Sequence, residues 1–294
     1  MTIIDAHSHL WLRQDTIVDG KSIKTLKNGR SIFFDEEVQM LPPFMIDGVN
    51  SAEVFLSNMN YAQVGGAVVV QEIIDGNQNA YLTTVQQKYP ERFFCMGMAN
   101  NKIEVETVKV AGLKGIAIPG HRLKGSLLEK MDMFKYMEQE DMILSMCLGD
   151  DEKQIAEMAE VIQECPNLKV AIGHFGMVTT PSFKKQILLA REGKNVMIES
   201  GGITWLFNSE FYPYPSAVSS IKYAADLVGM ERLMWGSDYP RTITAITYKM
   251  SYDFITKSES LSETEKAMFL GTNAEKFYGF HNLPQLPYIK NMSE

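Results

Sequence analysis

Cys165-Pro166-Asn167-Leu168-Lys169-Val170-Ala171-Ile172-Gly173-His174 carries the reading of the fold. Upstream of it, residues 151–165 place Ile155, Met158, Ala159 and Ile162 at i, i+3, i+4 and i+7, the stripe of a helix packed on one face. Pro166 stops that helix. Residues 168–173 then form a short apolar run, as expected of a strand buried on both faces of a parallel sheet. Similar runs stand at 2–6, 66–71, 93–99, 113–119, 142–148, 195–199 and 232–236, with helix-like segments between them. Eight strands alternating with helices predict a (β/α)8 TIM barrel. A doubly wound sheet would want a glycine-rich phosphate turn after an early strand, and the sequence has none. No repeat, low-complexity stretch or linker divides the chain, so residues 1–294 read as one domain. Ser262 with Glu265, and Thr272 with Glu275, have the spacing of capping boxes and mark two late helix starts.

Residues 11–50 break the rhythm. They follow the first strand, precede a helix at 51–63, and mix Gly20, Gly29, Pro42, Pro43 and Gly48 with Phe33, Phe34, Met40, Leu41 and Phe44. So long an insertion in a compact domain is usually functional or disordered. Its apolar content predicts an ordered flap. Residues 201–215 form a second irregular stretch, rich in aromatics: Trp205, Phe207, Phe211, Tyr212 and Tyr214. In a barrel both segments follow strand C-termini and belong to the active-site face.

Composition narrows the function. The chain has 294 residues, 45% hydrophobic and 22% charged, with net charge −8, which excludes a disordered protein. No apolar run approaches the ~20 residues of a membrane helix. An acidic chain without Lys/Arg blocks argues against nucleic acid as a partner. Its three cysteines are far apart, which fits reduced thiols. The start of the chain has no basic n-region or apolar h-region. The expectation is a cytoplasmic enzyme acting on a small molecule, without a membrane or nucleic-acid partner and with a homo-oligomer left open.

Asp5-Ala6-His7-Ser8-His9 ends the first strand. Residues i and i+2 of a strand share a side, so His7 and His9 can aim two imidazoles at one point. Two imidazoles suit a divalent metal, or they can hold a polarised water or carbonyl without one. Trp235-Gly236-Ser237-Asp238-Tyr239-Pro240 ends the eighth strand, the first strand's neighbour in a closed barrel. Asp238 can there bind a metal, take a proton from water, or both. His174, between Gly173 and Gly176, ends the sixth strand. Weaker candidates for substrate contact are Trp11, Gln71, His121, Arg122, Tyr239 and Arg241, with Arg122 suited to a substrate carboxylate. Glu72 and Glu199 read as rim salt-bridge residues, and the methionines as core filler.

Ile3-Ile4-Asp5-Ala6-His7-Ser8-His9-Leu10, Gly173-His174-Phe175-Gly176, Trp235-Gly236-Ser237-Asp238-Tyr239-Pro240 and Asn273-Ala274-Glu275-Lys276-Phe277-Tyr278-Gly279 together resemble the amidohydrolase-related family of the amidohydrolase superfamily. The resemblance spans nearly the whole chain, in the family's order. It implies a distorted barrel and roles for His7, His9, His174 and Asp238. The family includes aminocarboxymuconate-semialdehyde decarboxylase and related aromatic-acid decarboxylases, 2-pyrone-4,6-dicarboxylate lactonase and sugar-acid lactonases. The metal-dependent decarboxylases carry a ligand histidine at the end of strand five, where this chain has Ser145-Met146-Cys147-Leu148-Gly149-Asp150. The lactonase branch lacks that histidine and is the closer resemblance. The expectation is therefore a hydrolase opening a lactone of a small sugar acid or related hydroxy acid. Asp238 would be the general base, His7 and His9 would orient water or carbonyl, and His174 would donate toward the oxyanion. The metal set would be His7, His9 and Asp238, holding a divalent ion, zinc first, with weak or dispensable binding. A metal-dependent non-oxidative decarboxylase is the alternative.

Overall fold

The computed structural model describes residues 1–292. Its strands are β1 (Ile3–Ser8), β2 (Asp15–Val18), β3 (Lys21–Thr25), β4 (Arg30–Phe33), β5 (Glu36–Gln39), β6 (Val64–Val69), β7 (Phe93–Cys95), β8 (Gly115–Ile118), β9 (Ile143–Met146), β10 (Lys169–Ile172), β11 (Val196–Glu199) and β12 (Leu233–Met234). Each of the eight expected runs overlaps one of β1 and β6–β12, with β1 running past residue 6 and β6 beginning before residue 66. These eight form two sheets, ordered β1-β6-β7 and β12-β11-β10-β9-β8, and every pairing in them is parallel. Single parallel bridges join the sheets at both seams, Gly97 to Ile116 and Ser8 to Tyr239.

Apolar side chains alternate between two layers. Ile4, Ala6, Val68, Val70, Phe94, Ala117, Ile143, Ala171, Met197 and Met234 form one buried cluster to which all eight strands contribute, with Tyr278 and Phe280 in the same cluster. Ile3, Val69, Ile116, Leu144, Val170 and Ile198 face outward onto the helices. The helix Glu152–Glu164 has the expected stripe, with Ile155, Met158 and Ile162 buried. Asp151 caps it by accepting the Lys153 and Gln154 amides.

Two expectations need correction, at Thr272 and at the end of the first strand. Ser262 and Glu265 do form a capping box. Thr272 caps nothing, because it continues a helix that runs through a π-turn at Met268–Thr272. The first strand extends past Ala6 to Ser8, and His7 therefore lies within it. Residues 11–50 are ordered and hold a four-stranded antiparallel sheet, β2-β3-β4-β5. Its hairpins turn at Asp19-Gly20 and Phe34-Asp35, both pairs at positive φ. Asp-Gly between strands is the residue pair such a two-residue turn demands, and that signal was readable in the sequence. No helix among the described residues is long and apolar enough to cross a membrane.

Candidate active site

A bulge in β1 aims the histidines. Asp5 pairs with Ala67 and Ser8 with Val69, so three steps along β1 match two along β6. The extra residue bends the strand and redirects its side chains. His7 Nε2 and His9 Nε2 come within 3.2 Å of each other. Asp238 Oδ1 lies 3.1 Å from His9 Nε2 and 3.7 Å from His7 Nε2. The strand ends are tied by Asp5, whose carboxylate accepts the Ser237 amide and hydroxyl, the Tyr248 hydroxyl and the His7 amide.

His7 and His174 each have a tautomer set by a hydrogen-bond partner. His7 Nδ1–H donates to Glu199 Oε1 over 2.7 Å, leaving the Nε2 lone pair toward the cluster. Glu199 is fully buried, and its oxygens also accept the amides of His174 and Gly201. His174 Nδ1 lies 2.9 Å from the Gly201 carbonyl, which can only accept. His174 therefore also presents Nε2 as a lone pair. Burial, then the nearby His7, hold its pKa below the ordinary value. The backbone at 174–177 is left-handed at four residues running, His174, Phe175, Gly176 and Met177. Strained backbone of this kind is stored where surrounding structure fixes it, often at functional sites.

His9 lies between two carboxylates. Its Nδ1 is 3.5 Å from Asp75 Oδ2, is buried, and makes no hydrogen bond. Burial disfavours a charge on His9, but the hydrogen bond to Asp238 and the neighbouring Asp75 outweigh it and push its pKa up to about 10. Burial works against ionised Asp238, yet the His9 hydrogen bond and the adjacent imidazoles hold it well below the usual carboxylate range. The cluster is thus a His9 cation against an Asp238 anion.

These residues fit a divalent ion. His7, His9 and Asp238 offer two nitrogens and a carboxylate oxygen at mutual distances of 3.1–3.7 Å. Ligands at about 2.0–2.2 Å from one tetrahedral centre stand roughly 3.3–3.6 Å apart. The orphaned His9 Nδ1 and the proton bound between carboxylates mark the same demand for positive charge. Cys147 and His174 form a second group with His7, whose ligand atoms lie within 4.8 Å of one another. Burial, with Glu199, Glu72 and Asp238 nearby, pushes the Cys147 thiol well up.

Above the cluster opens a cleft of about 730 Å³. Trp11, Phe33, Met40, His121, Arg122, Trp205 and Arg241 are among its lining residues, with His9, His174 and Asp238 at its floor. Trp205 donates its indole N–H to Asp238 Oδ2 over 2.6 Å, and the Arg241 guanidinium stacks 3.8 Å from the indole centre. Arg122 binds Glu72 Oε2 at 2.8 Å and covers the Phe34 ring.

The amidohydrolase family model matches residues 4–280. The chain belongs to the amidohydrolase family. Among solved structures, this amidohydrolase is similar to a probable 2-pyrone-4,6-dicarboxylic acid hydrolase from Acinetobacter baumannii with citric acid bound. The two are 19% identical at a TM-score of 0.71, over 95% of this chain and 100% of that one. It is also similar to an amidohydrolase from Burkholderia multivorans with bound zinc, at 15% identity and a TM-score of 0.71, over 97% of this chain and 100% of that one. A third is 5-carboxyvanillate decarboxylase from Novosphingobium aromaticivorans, complexed with manganese and 4-hydroxy-3-methoxy-5-nitrobenzoic acid. It has 18% identity and a TM-score of 0.57, over 78% of this chain and 80% of that one. A comparison with curated protein sequences finds no match.

In this amidohydrolase His7, His9, His174 and Asp238 converge as the sequence predicts. Trp11, His121, Arg122 and Arg241 line the cleft. Gln71 lines a small cavity with His7, His9 and His174, whereas Tyr239 lies outside the cleft. Gln71 is buried, and its amide is spent on Asn79, the Met96 carbonyl and the Gln78 amide, which shape the loop after β6. Tyr239 packs in the outer core, stacked 4.0 Å from Phe55, away from the cleft. Glu199 is a buried partner of His7, not a rim residue. Sequence reasoning missed Asp75 and the Trp205–Asp238 bond. Glu199 was findable as a carboxylate closing an otherwise apolar strand, while Asp75 had no local signal.

Proposed function

We propose that this amidohydrolase opens a lactone, a cyclic carboxylic ester, of a small sugar acid or related hydroxy acid. The observation that carries the reading is Asp238 at the floor of the cleft, with one oxygen held by His9 and the other by Trp205. The volume of about 730 Å³ suits a small ligand. Asp238 stays ionised and accepts a proton as water adds to the lactone carbonyl. The ring C–O bond then breaks, and Asp238 returns the proton to the leaving alkoxide. When no ion is bound, the His9 cation beside it stabilises the developing oxyanion. This role moves from His174, whose Nδ1–H is committed to Gly201 and whose Nε2 can only accept. Arg122, His121 and Arg241 line the cleft and would bind the hydroxyls of the substrate, or a carboxylate outside the lactone ring where it has one.

The divalent ion would be held by His7, His9 and Asp238, with His174 beside them, and when bound it supplies Lewis-acid polarisation of the substrate carbonyl and of water. In this reading the two bridged sheets act as one closed barrel in a single domain, and residues 11–50 are a flap over its mouth. The second reading, metal-dependent non-oxidative decarboxylation, is favoured by the density of donors around His7, which also includes Cys147.

A panel of sugar lactones screened by a pH indicator tests the proposal. Wild-type protein should release acid from at least one lactone, and Asp238→Asn should not. If no lactone opens, but CO₂ leaves an aromatic acid in the presence of Zn²⁺ or Mn²⁺, the site belongs to decarboxylation.

A further inference from the structure

Cys147 follows β9 at the edge of the donor cluster, and three features make it more than core filler. Gly173 leaves room for the sulfur, since a β-carbon there would come within 2.5 Å of Cys147 Sγ and 2.7 Å of Glu199 Oε1. The main chain is pinned, because the Cys147 amide donates to the Ile118 carbonyl over 3.1 Å and its carbonyl accepts the His121 amide over 3.0 Å. The two histidines grouped with it, His7 and His174, have their Nδ1 protons committed and only Nε2 lone pairs left. The other cysteines are placed differently. Cys95 is fully buried in the layer between strands and helices, and Cys165 lies against Met131 Sδ.

We propose that Cys147 supplies a thiolate to a divalent ion held with His7 and His174, a ligand set alternative to His7, His9 and Asp238 because the one Nε2 lone pair of His7 serves either, giving a mixed imidazole–thiolate centre that prefers zinc-class ions to manganese or magnesium. Thiolate is a soft ligand, and manganese and magnesium favour hard oxygen donors. On binding, the S–H bond breaks, the sulfur lends its electron pair to the ion, and the proton passes to solvent. The inference rests on reading the cluster as a metal centre and is independent of the lactone.

Cobalt is the probe. The full chain is stripped of metal and reloaded with Co²⁺, and its absorption spectrum is recorded. Wild type should show a near-ultraviolet sulfur-to-cobalt charge-transfer band together with visible cobalt bands. Cys147→Ser should keep bound cobalt and lose the near-ultraviolet band, and Cys165→Ser should retain it. In a competition between Zn²⁺ and Mn²⁺, the preference for zinc should fall about tenfold or more in Cys147→Ser. Circular dichroism checks folding, with Cys147→Ala as the second variant should serine misfold. Cobalt-loaded wild type without the band, survival of the band in the folded variant, or no cobalt uptake by wild type each overturns the assignment. Lactone turnover enters none of these readouts, so failure here is separable from failure of the proposed hydrolysis.

Discussion

Trp205 holds Asp238 from the side opposite His9, its indole Nε1–H donating to Oδ2 over 2.6 Å. Gly202, at φ 73°, admits the ring, because a β-carbon there would collide with Trp205 Nε1. Both oxygens of the carboxylate are thereby fixed. A hydrogen bond to a charged group is worth about 1.5–3 kcal/mol. Trp205→Phe keeps the bulk and removes the donor. We expect kcat to fall roughly ten- to a hundredfold, with a smaller change in KM. Steady-state kinetics on a lactone found in the screen would measure both, and an unchanged kcat would remove Trp205 from the positioning of Asp238.

Asp238→Asn should leave the fold intact and lower kcat by about 10²–10⁴, because an amide cannot accept the proton from water. Thermal melting separates this from unfolding. A folded variant with near wild-type kcat would refute the base.

Glu199 fixes His7 through its Nδ1–H, and three glycines crowd this pair. A β-carbon at Gly173, Gly201 or Gly236 would approach the Glu199 carboxylate to within 2.7–2.9 Å. Glu199→Gln retains shape but no longer enforces the tautomer of His7. Loss of such an orienting partner typically costs 10–100-fold in metal affinity. Zn²⁺ competition against a chromophoric chelator should show a loss of that size. Wild-type affinity in the folded variant would reduce Glu199 to a packing residue.

Glu72 lines the cleft and carries a pH test of its own. Burial opposes its charge, but His121 and Arg122 hold its pKa down to about 2. The folded value lies below the ordinary one of 4.5. Its contribution to stability is therefore complete above pH 4.5 and fades as pH falls through 2. Solvent screening of its partly exposed partners leaves on the order of 2 kcal/mol. The stability gap between wild type and Glu72→Gln, from denaturant melts, should be constant from pH 7 to 5 and shrink between pH 4.5 and 2. A gap that does not narrow would show that the ion pair contributes nothing.

Much of the site was legible because strand periodicity and strand order put it there. His7, His9, His174 and Asp238 each stand at or just beyond the end of an apolar run, and parallel α/β packing brings such ends to one face. Hydrogen-bond partners were less legible. Asp75 reaches His9 from the loop after β6, a contact between segments 66 residues apart in sequence that no local pattern encodes. Tyr239 was misplaced because alternation fails across the turn at Asp238, whose φ is 57°. The missing strand-five histidine suggested weak metal binding, but Cys147 Sγ lies at that strand's end within reach of His7 and His174. The apolar content of residues 11–50 makes their order legible, whereas their strands show only through the Asp19-Gly20 hairpin pair.

The flap gives the last prediction. Its β4–β5 turn places Phe34 against Arg122, and Asp19 in the β2–β3 turn pairs with Lys124. Both contacts join the flap to the segment after β8. Phe33, Val38 and Met40 contribute to the cleft wall, as does Trp11, which is 3% exposed. Phe44, expected with them, is 76% exposed on a different groove, beside Ile46 and Val54. The flap thus has one apolar surface on the cleft and another open to solvent. Exposed apolar patches of this kind commonly mark contact surfaces. Replacing residues 17–41 with a short Gly/Ser linker removes the cleft-facing residues Phe33, Val38 and Met40 but leaves Phe44 and Ile46 in place. We expect KM to rise about tenfold or more, from the loss of apolar contact to substrate, with oligomeric mass unchanged. A smaller fall in kcat should accompany it as water enters the site. Kinetics and light scattering on the same preparation decide the matter. Unchanged kcat and KM in a protein that has become monomeric would reject the lid and leave the flap as an arm.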